Sequence, residues 1–277
     1  MVADLKGKVL FVTGGGSGMG RATALAAVGV GAVVAVVDVN GTAADGVAAE
    51  ISEQGGRARA YQLDVRNAAA AEACVGSAES DLGPIAGAVL CAGVSKPSRA
   101  EDLSEELWDD VLDVNLKGAF FCCKALSRGM IARQGGSIVV IASTDAFSGQ
   151  AGRVHYCASK YGVLGLVQTL AIEWGRYGIR VNAVAPGVVD TPMMHRNLPT
   201  DFVQEVLVDR TPFPRLPTAR DQANASLFLV SDMAGCITGV VLPVDGGLSA
   251  GYLTRWKGAD YSSKLLLEQK LYAPPSK

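Results

Sequence analysis

Tyr156 and Lys160 stand four residues apart, the spacing that places two side chains on one face of a helix. A free phenol titrates near ~10, too high for a base at neutral pH. A lysine cation one turn away favours the phenolate by Coulomb attraction. Ser143 ends a preceding apolar run, where a hydroxyl can hold an alcohol or carbonyl oxygen beside the phenol. The chemistry open to such a trio is proton transfer at a hydroxyl. Tyr-x-x-x-Lys pairs also recur by chance on solvated helices, so this pair alone decides nothing.

A second feature lies at the start of the chain. The run Thr13-Gly14-Gly15-Gly16-Ser17-Gly18-Met19-Gly20 leaves a short apolar segment, Lys8–Thr13. It is out of register with the strict G-x-G-x-x-G fingerprint, but the physics is shared: glycines turn the chain sharply and bring backbone N–H groups against a pyrophosphate at a helix N-terminus. Gly14, Ser17, Gly18, Met19 and Gly20 are therefore candidate cofactor contacts. Asp38 follows Gly14 by 38 − 14 = 24 residues, at the end of the next apolar run. A carboxylate there accepts hydrogen bonds from the adenosine ribose and repels a 2′-phosphate. No arginine stands at Ser17, Val39 or Asn40 to receive that phosphate, so NAD is the expected cofactor rather than NADP. The plain alternatives are an ordinary glycine turn and a solvated strand-end acid. Their placement in one strand–turn–helix–strand unit favours the dinucleotide.

The elements that must position these residues alternate along the chain. Strands are expected at 8–13, 32–37, 58–63, 86–91, 137–142, 178–184 and 240–244. Helices fall between them, including a long tract from Ser104 to Arg133 that opens on an N-cap serine and two acids. Such alternation predicts one doubly wound α/β domain with a parallel sheet and helices on both faces. Residues 1–249 form the dinucleotide-binding domain, with a substrate lid at 188–217 carrying Met193, Met194, Phe202, Leu207 and Phe213. Residues 250–277 read as a tail reaching toward a neighbouring subunit.

Thr13-Gly14-x-x-x-Gly18-x-Gly20, Asp64-Val65, Asn115, Ser143, Tyr156-Cys157-Ala158-Ser159-Lys160 and Pro186-Gly187 together resemble the short-chain dehydrogenase/reductase family. The resemblance runs in order from about Lys6 to Gly247. It implies a Rossmann-type sheet of seven parallel strands, a homo-oligomer (a tetramer favoured), and a catalytic set of Asn115, Ser143, Tyr156 and Lys160. It further implies adenine contacts from Asp64 and Val65, and nicotinamide contacts from Gly187, Val189 and Thr191. Lys160 would also reach the nicotinamide ribose, and Asn115 would hold a water in a proton relay. Val39, Cys91, Gly93 and Tyr156 complete the expected cofactor contacts. One departure from the family pattern is Cys91-Ala92-Gly93, where Asn-Ala-Gly is usual. It bears on local sheet packing more than on chemistry.

The expected activity is hydride transfer between a secondary alcohol, or its ketone, and NAD(H), with oxidation favoured. The pocket is expected to draw on Val94, Ser95, Lys96, Thr144, Phe147, Gln150, Val154, His155, Met193, Met194 and Phe202, without a cluster of arginines. A helix-start histidine such as His155 is expected to face solvent or backbone. Two other readings are a non-catalytic NAD-binding sensor on the same fold and a nucleotide-sugar epimerase or dehydratase. The full set of four catalytic residues speaks against the first; the modest C-terminal region speaks against the second. Net charge is −2 and no basic run occurs, so no nucleic-acid partner is expected. Six scattered cysteines and two histidines offer no metal-ligand spacing and fit free thiols. No apolar run reaches the ~18 residues of a membrane span, and a cytoplasmic protein is expected.

Overall fold

In the computed structural model, residues 4–189, 191, 194, 198–251, 255, 256, 259, 260 and 268 are described. Seven parallel strands form one sheet: β1 Val9–Thr13, β2 Val33–Asp38, β3 Arg57–Gln62, β4 Ile85–Leu90, β5 Gly136–Ile141, β6 Ile179–Pro186 and β7 Val241–Val244, in the order β3-β2-β1-β4-β5-β6-β7. The inner strands are almost continuously apolar because helices cover both of their faces. β3, at an edge, is the exception. It alternates arginines and other polar residues with half-buried ones, which also guards its unpaired side.

One face packs against α3 Ala68–Leu82, α5 Gly118–Arg133 and α6 Val154–Trp174, with α4 Glu105–Leu112 packed outside it against α6. The other packs against α1 Gly18–Val28, α2 Gly41–Glu53 and α7 Ala219–Val230. Local chemistry starts several of these helices. Asn40 accepts from Ala43 N–H, Asn67 from Ala70 N–H and Ser104 from Leu107 N–H. Thr218 and Asp221 cap α7 reciprocally.

The expected tract from Ser104 to Arg133 is not one α-helix. Asp113–Lys117 is a π-helical segment between α4 and α5. The sheet order reverses between β1 and β4. There Thr13 at the C-terminal end of β1 pairs with Val37 on one side and Leu90 on the other. Strand ends that diverge in this way open a crevice, and ligands of doubly wound sheets bind in it. In the segment 250–277, Arg255–Trp256 pairs with Ala259–Asp260 in a separate antiparallel ribbon.

Candidate active site

The crevice at the strand ends holds two adjoining hollows. One, about 390 Å³, is bordered by Gly14, Ser17, Gly18, Met19, Gly20, Asp38, Val39, Asp64 and Val65. The other, about 530 Å³, is bordered by Ser143, Tyr156, Lys160, Gly187 and Val189. Met19, Cys91, Gly93 and Thr191 border both, so the two form one continuous cleft.

The glycine turn fits a dinucleotide through close backbone approach. Gly14 has φ +63°, and a Cβ there would stand 3.0 Å from Ala92 N. A Cβ on Gly20 would lie 2.1 Å from the Gly14 carbonyl oxygen. The turn is therefore a bare-backbone cradle at the start of α1. Both Asp38 oxygens are fixed: Oδ2 accepts from Gly16 N–H at 3.0 Å and Oδ1 from Asn40 N–H at 2.9 Å. The basic residues bordering this hollow are already paired. Arg66 bonds Asp64 and Asp110, and Lys96 bonds Asp110. The Arg66 guanidinium also holds the Asp64 carboxyl below the usual carboxylate range.

Tyr156 and Lys160 rise from the first turns of α6, and Ser143 follows β5. Lys160 Nζ donates to the Ile141 carbonyl at 2.8 Å and lies 5.6 Å from the centre of the Tyr156 ring. Asn115 sits in the π-helical segment, behind the cleft wall. Its Oδ1 accepts from Val94 N–H at 2.8 Å, and its Nδ2 donates to the Val94 carbonyl at 3.0 Å and to Ser159 Oγ at 3.1 Å. One carboxamide thus ties the loop after β4 to α6. The segment can pack so closely because Gly162 faces it: a Cβ there would meet Leu116 at 2.6 Å.

The electrostatics differ from the expectation. Burial pushes the Tyr156 phenol up to about 12, and Asp145 and Cys157 add to the rise. A hydrogen bond with Ser143 and the charge of Arg153 act in the opposite direction. Burial draws Lys160 down to about 8. Desolvation therefore sets the direction of the phenol's shift, opposite to the one expected from the lysine.

A family model described as enoyl-(acyl carrier protein) reductase matches residues 14–249. D-threitol dehydrogenase of Mycolicibacterium smegmatis is 39% identical over 88% of this chain and 93% of its own length. 2-(S)-Hydroxypropyl-CoM dehydrogenase 3 of Xanthobacter autotrophicus is 38% identical over 89% and 98%. The chain belongs to the short-chain dehydrogenase/reductase family. Among solved structures, levodione reductase superposes with a TM-score of 0.85 at 34% identity, covering 90% of this chain and 100% of that one. A protein of Beutenbergia cavernae assigned as an NAD(P)-dependent gluconate 5-dehydrogenase, solved with NADP at low occupancy, gives 0.85 at 35% identity, over 90% and 99%. As a short-chain dehydrogenase/reductase the protein is an oxidoreductase of an NAD(P)-using family.

The larger hollow of this short-chain dehydrogenase/reductase corrects several expectations. Thr144, Gln150, Met194 and Phe202 border the larger hollow as expected. Val94 and Lys96 border the smaller hollow instead. Phe147 and Val154 are exposed and line neither, because the turn before α6 points them outward. His155 is fully buried, with Nε2 2.8 Å from the Lys96 carbonyl, so it faces backbone rather than solvent or substrate. Ser95 is buried under a hydrogen bond from Arg153. Met193 and His195 lie outside the described residues. Cys91, in place of the usual asparagine, is desolvated, and its thiol is pushed up to about 12 while hydrogen-bonding Thr23. Strands β1 and β4 stay joined beside it through Thr13 Oγ1, which accepts from Ala92 N–H.

The sequence reading missed Asp145, Arg153 and Arg210 on the cavity wall. Arg153 precedes Tyr156 by three residues, and its guanidinium carbon lies 5.8 Å from the phenol ring centre. That spacing was a usable signal. Arg210, far along the chain, offered none.

Proposed function

We propose that the protein is an NAD(H)-dependent dehydrogenase interconverting a secondary alcohol and its ketone, with Tyr156 as the acid–base. The observation carrying this reading is the Asp38 carboxylate, fixed by two backbone N–H groups at the rim of a cleft that runs on to Ser143, Tyr156 and Lys160. An anchored anion at that rim favours ribose hydroxyls and disfavours a 2′-phosphate. Both basic residues nearby are occupied by Asp64 and Asp110 and offer that phosphate no free partner.

The glycine turn would hold the pyrophosphate, with Ser17 and Met19 beside it, and Asp38 and Val39 the adenosine ribose. Asp64 and Val65 would border the adenine. Cys91, Gly93, Gly187, Val189 and Thr191 would enclose the nicotinamide end. When bound, the nicotinamide takes or returns the hydride. In oxidation, phenolate Tyr156 removes the hydroxyl proton while the carbinol C–H electron pair leaves with its hydrogen as hydride. Ser143 holds the substrate oxygen beside the phenol. Lys160 contributes positive charge and would hold the nicotinamide ribose, and Asn115 positions α6 and the loop after β4. Reduction reverses each step. Residues 1–249 carry this whole site, with the segment 188–217 as its lid. The relatives named above act by their names on a polyol and a hydroxypropyl thioether, which share a secondary alcohol with the proposed substrate class.

A panel of secondary alcohols with NAD⁺, followed by absorbance of the reduced cofactor, tests the reading. Turnover that is faster with NAD⁺ than with NADP⁺ is expected. Binding of NAD⁺ without oxidation of any alcohol, or reduction of any ketone, would contradict it.

A further inference from the structure

We infer that the substrate carries a carboxylate, bound by Arg210 on the cavity wall that the lid contributes, so that the natural substrate is a hydroxy acid or its oxo acid. The inference rests on the dehydrogenase reading above and narrows it to a substrate class.

The charged side chains bordering the substrate hollow are Lys160, Arg153 and Arg210 on one side of the balance and Asp145 on the other. Two of the three cations are already engaged. Lys160 donates to the Ile141 carbonyl. Arg153 donates to Ser95 and lies over the Tyr156 ring, and its charge acts on the half-buried Asp145 carboxyl. Arg210 differs: among the described residues no carboxylate pairs with its guanidinium. Much of the wall around it is apolar, with Met194, Leu198, Phe202, Val206 and Leu207.

The backbone that carries Arg210 is held in place. Arg210 N–H donates to the Val206 carbonyl at 3.1 Å, and the buried Thr211 hydroxyl donates to the Leu207 carbonyl at 2.7 Å. Phe213 N–H then donates to Gly246 just past β7. A Cβ on Gly246 would stand 2.7 Å from the Thr211 methyl, so this end of the lid is pressed against the strand end. Arg210 is an exposed residue, so water can solvate its guanidinium at small cost. An entering carboxylate replaces that water with two parallel charge-assisted hydrogen bonds, the geometry that a guanidinium fork and a planar carboxylate share. Ser148, Gln150 and Ser249 border the same hollow and can donate to the remaining lone pairs.

The test compares matched pairs: 3-hydroxybutyrate, 4-hydroxypentanoate and mandelate, each beside its primary amide, with neutral secondary alcohols run in parallel. Wild-type kcat/KM should favour the acid over its amide by on the order of 10–100-fold, the range of a charge-assisted pair. Arg210→Gln should bring that ratio close to one, and Arg210→Lys should keep part of it. A wild-type ratio near one, oxidation of neutral alcohols but of none of the acids, or an Arg210→Gln loss equal for acid and amide would each overturn the inference while leaving the dehydrogenase reading intact. Failure to oxidise any alcohol at all would remove the dehydrogenase reading itself, and the inference with it.

Discussion

Lys160 holds its ammonium 5.6 Å from the centre of the Tyr156 ring but gives its hydrogen bond to the Ile141 carbonyl. The two groups share one wall of the cleft, and desolvation moves each toward its neutral form: the phenol up to about 12, the ammonium down to about 8. The Ser143 hydroxyl opposes that rise by a hydrogen bond, and two charged groups outside the active-site motif also act on the phenol. Asp145 raises it and Arg153 lowers it.

That pair gives a signed pH prediction. The base in oxidation is the phenolate, so the rate rises as pH passes the phenol pKa. Arg153→Gln removes a positive charge and should move the rising limb of kcat/KM to higher pH. Asp145→Asn removes a negative charge and should move it to lower pH. Limbs that stay fixed, or move in the reverse senses, would contradict this electrostatic assignment.

Cofactor choice should follow Asp38. With any working substrate, kcat/KM for NAD should exceed that for NADP by at least ~10-fold, equivalent to ~1.4 kcal/mol. Asp38→Ser should narrow the gap by relieving repulsion of the 2′-phosphate. Equal wild-type values would show that the carboxylate, though held by Gly16 and Asn40 N–H, does not read the ribose.

Gly20→Ala should damage both fold and cofactor binding. The added methyl would meet the Gly14 carbonyl at 2.1 Å, and the obstacle is backbone that cannot rotate away. Overpacking of this kind typically costs about 1–3 kcal/mol. Thermal melting and NAD titration together check it; a variant with wild-type values for both would contradict the cradle described here.

The lid should control substrate size. Met194 and Phe202 border the substrate hollow and not the dinucleotide one. Met194→Ala and Phe202→Ala should shift relative kcat/KM toward bulkier alcohols while NAD affinity changes little. A collapse of NAD binding in either variant would make the segment part of the cofactor site.

The sheet and the dinucleotide turn were legible because their causes are local. Apolar runs such as Val33–Asp38 are soon followed by turn residues, here Asn40 and Gly41, and helix starts such as Ser104 carry their own caps. The spacing of Tyr156 and Lys160 survives folding because both lie within one helix. Less visible was anything set by tertiary packing. The π-helical turn around Asn115 depends on close approach of Gly162, which no periodicity announces. His155 lies next to Tyr156 in sequence but turns to the Lys96 carbonyl and away from the cavity. Burial also reversed the expected direction of the phenol's shift, since desolvation is a property of the packed site rather than of a residue pair.

The central claim is that the Tyr156 hydroxyl moves the proton. Tyr156→Phe removes one oxygen and should leave the melting temperature and NAD affinity near wild type. Its kcat for alcohol oxidation should fall by on the order of 10²–10⁴, the usual contribution of a general base. A purified Tyr156→Phe protein that keeps more than about a tenth of wild-type kcat, a barrier change below ~1.4 kcal/mol, would show that another group carries the proton.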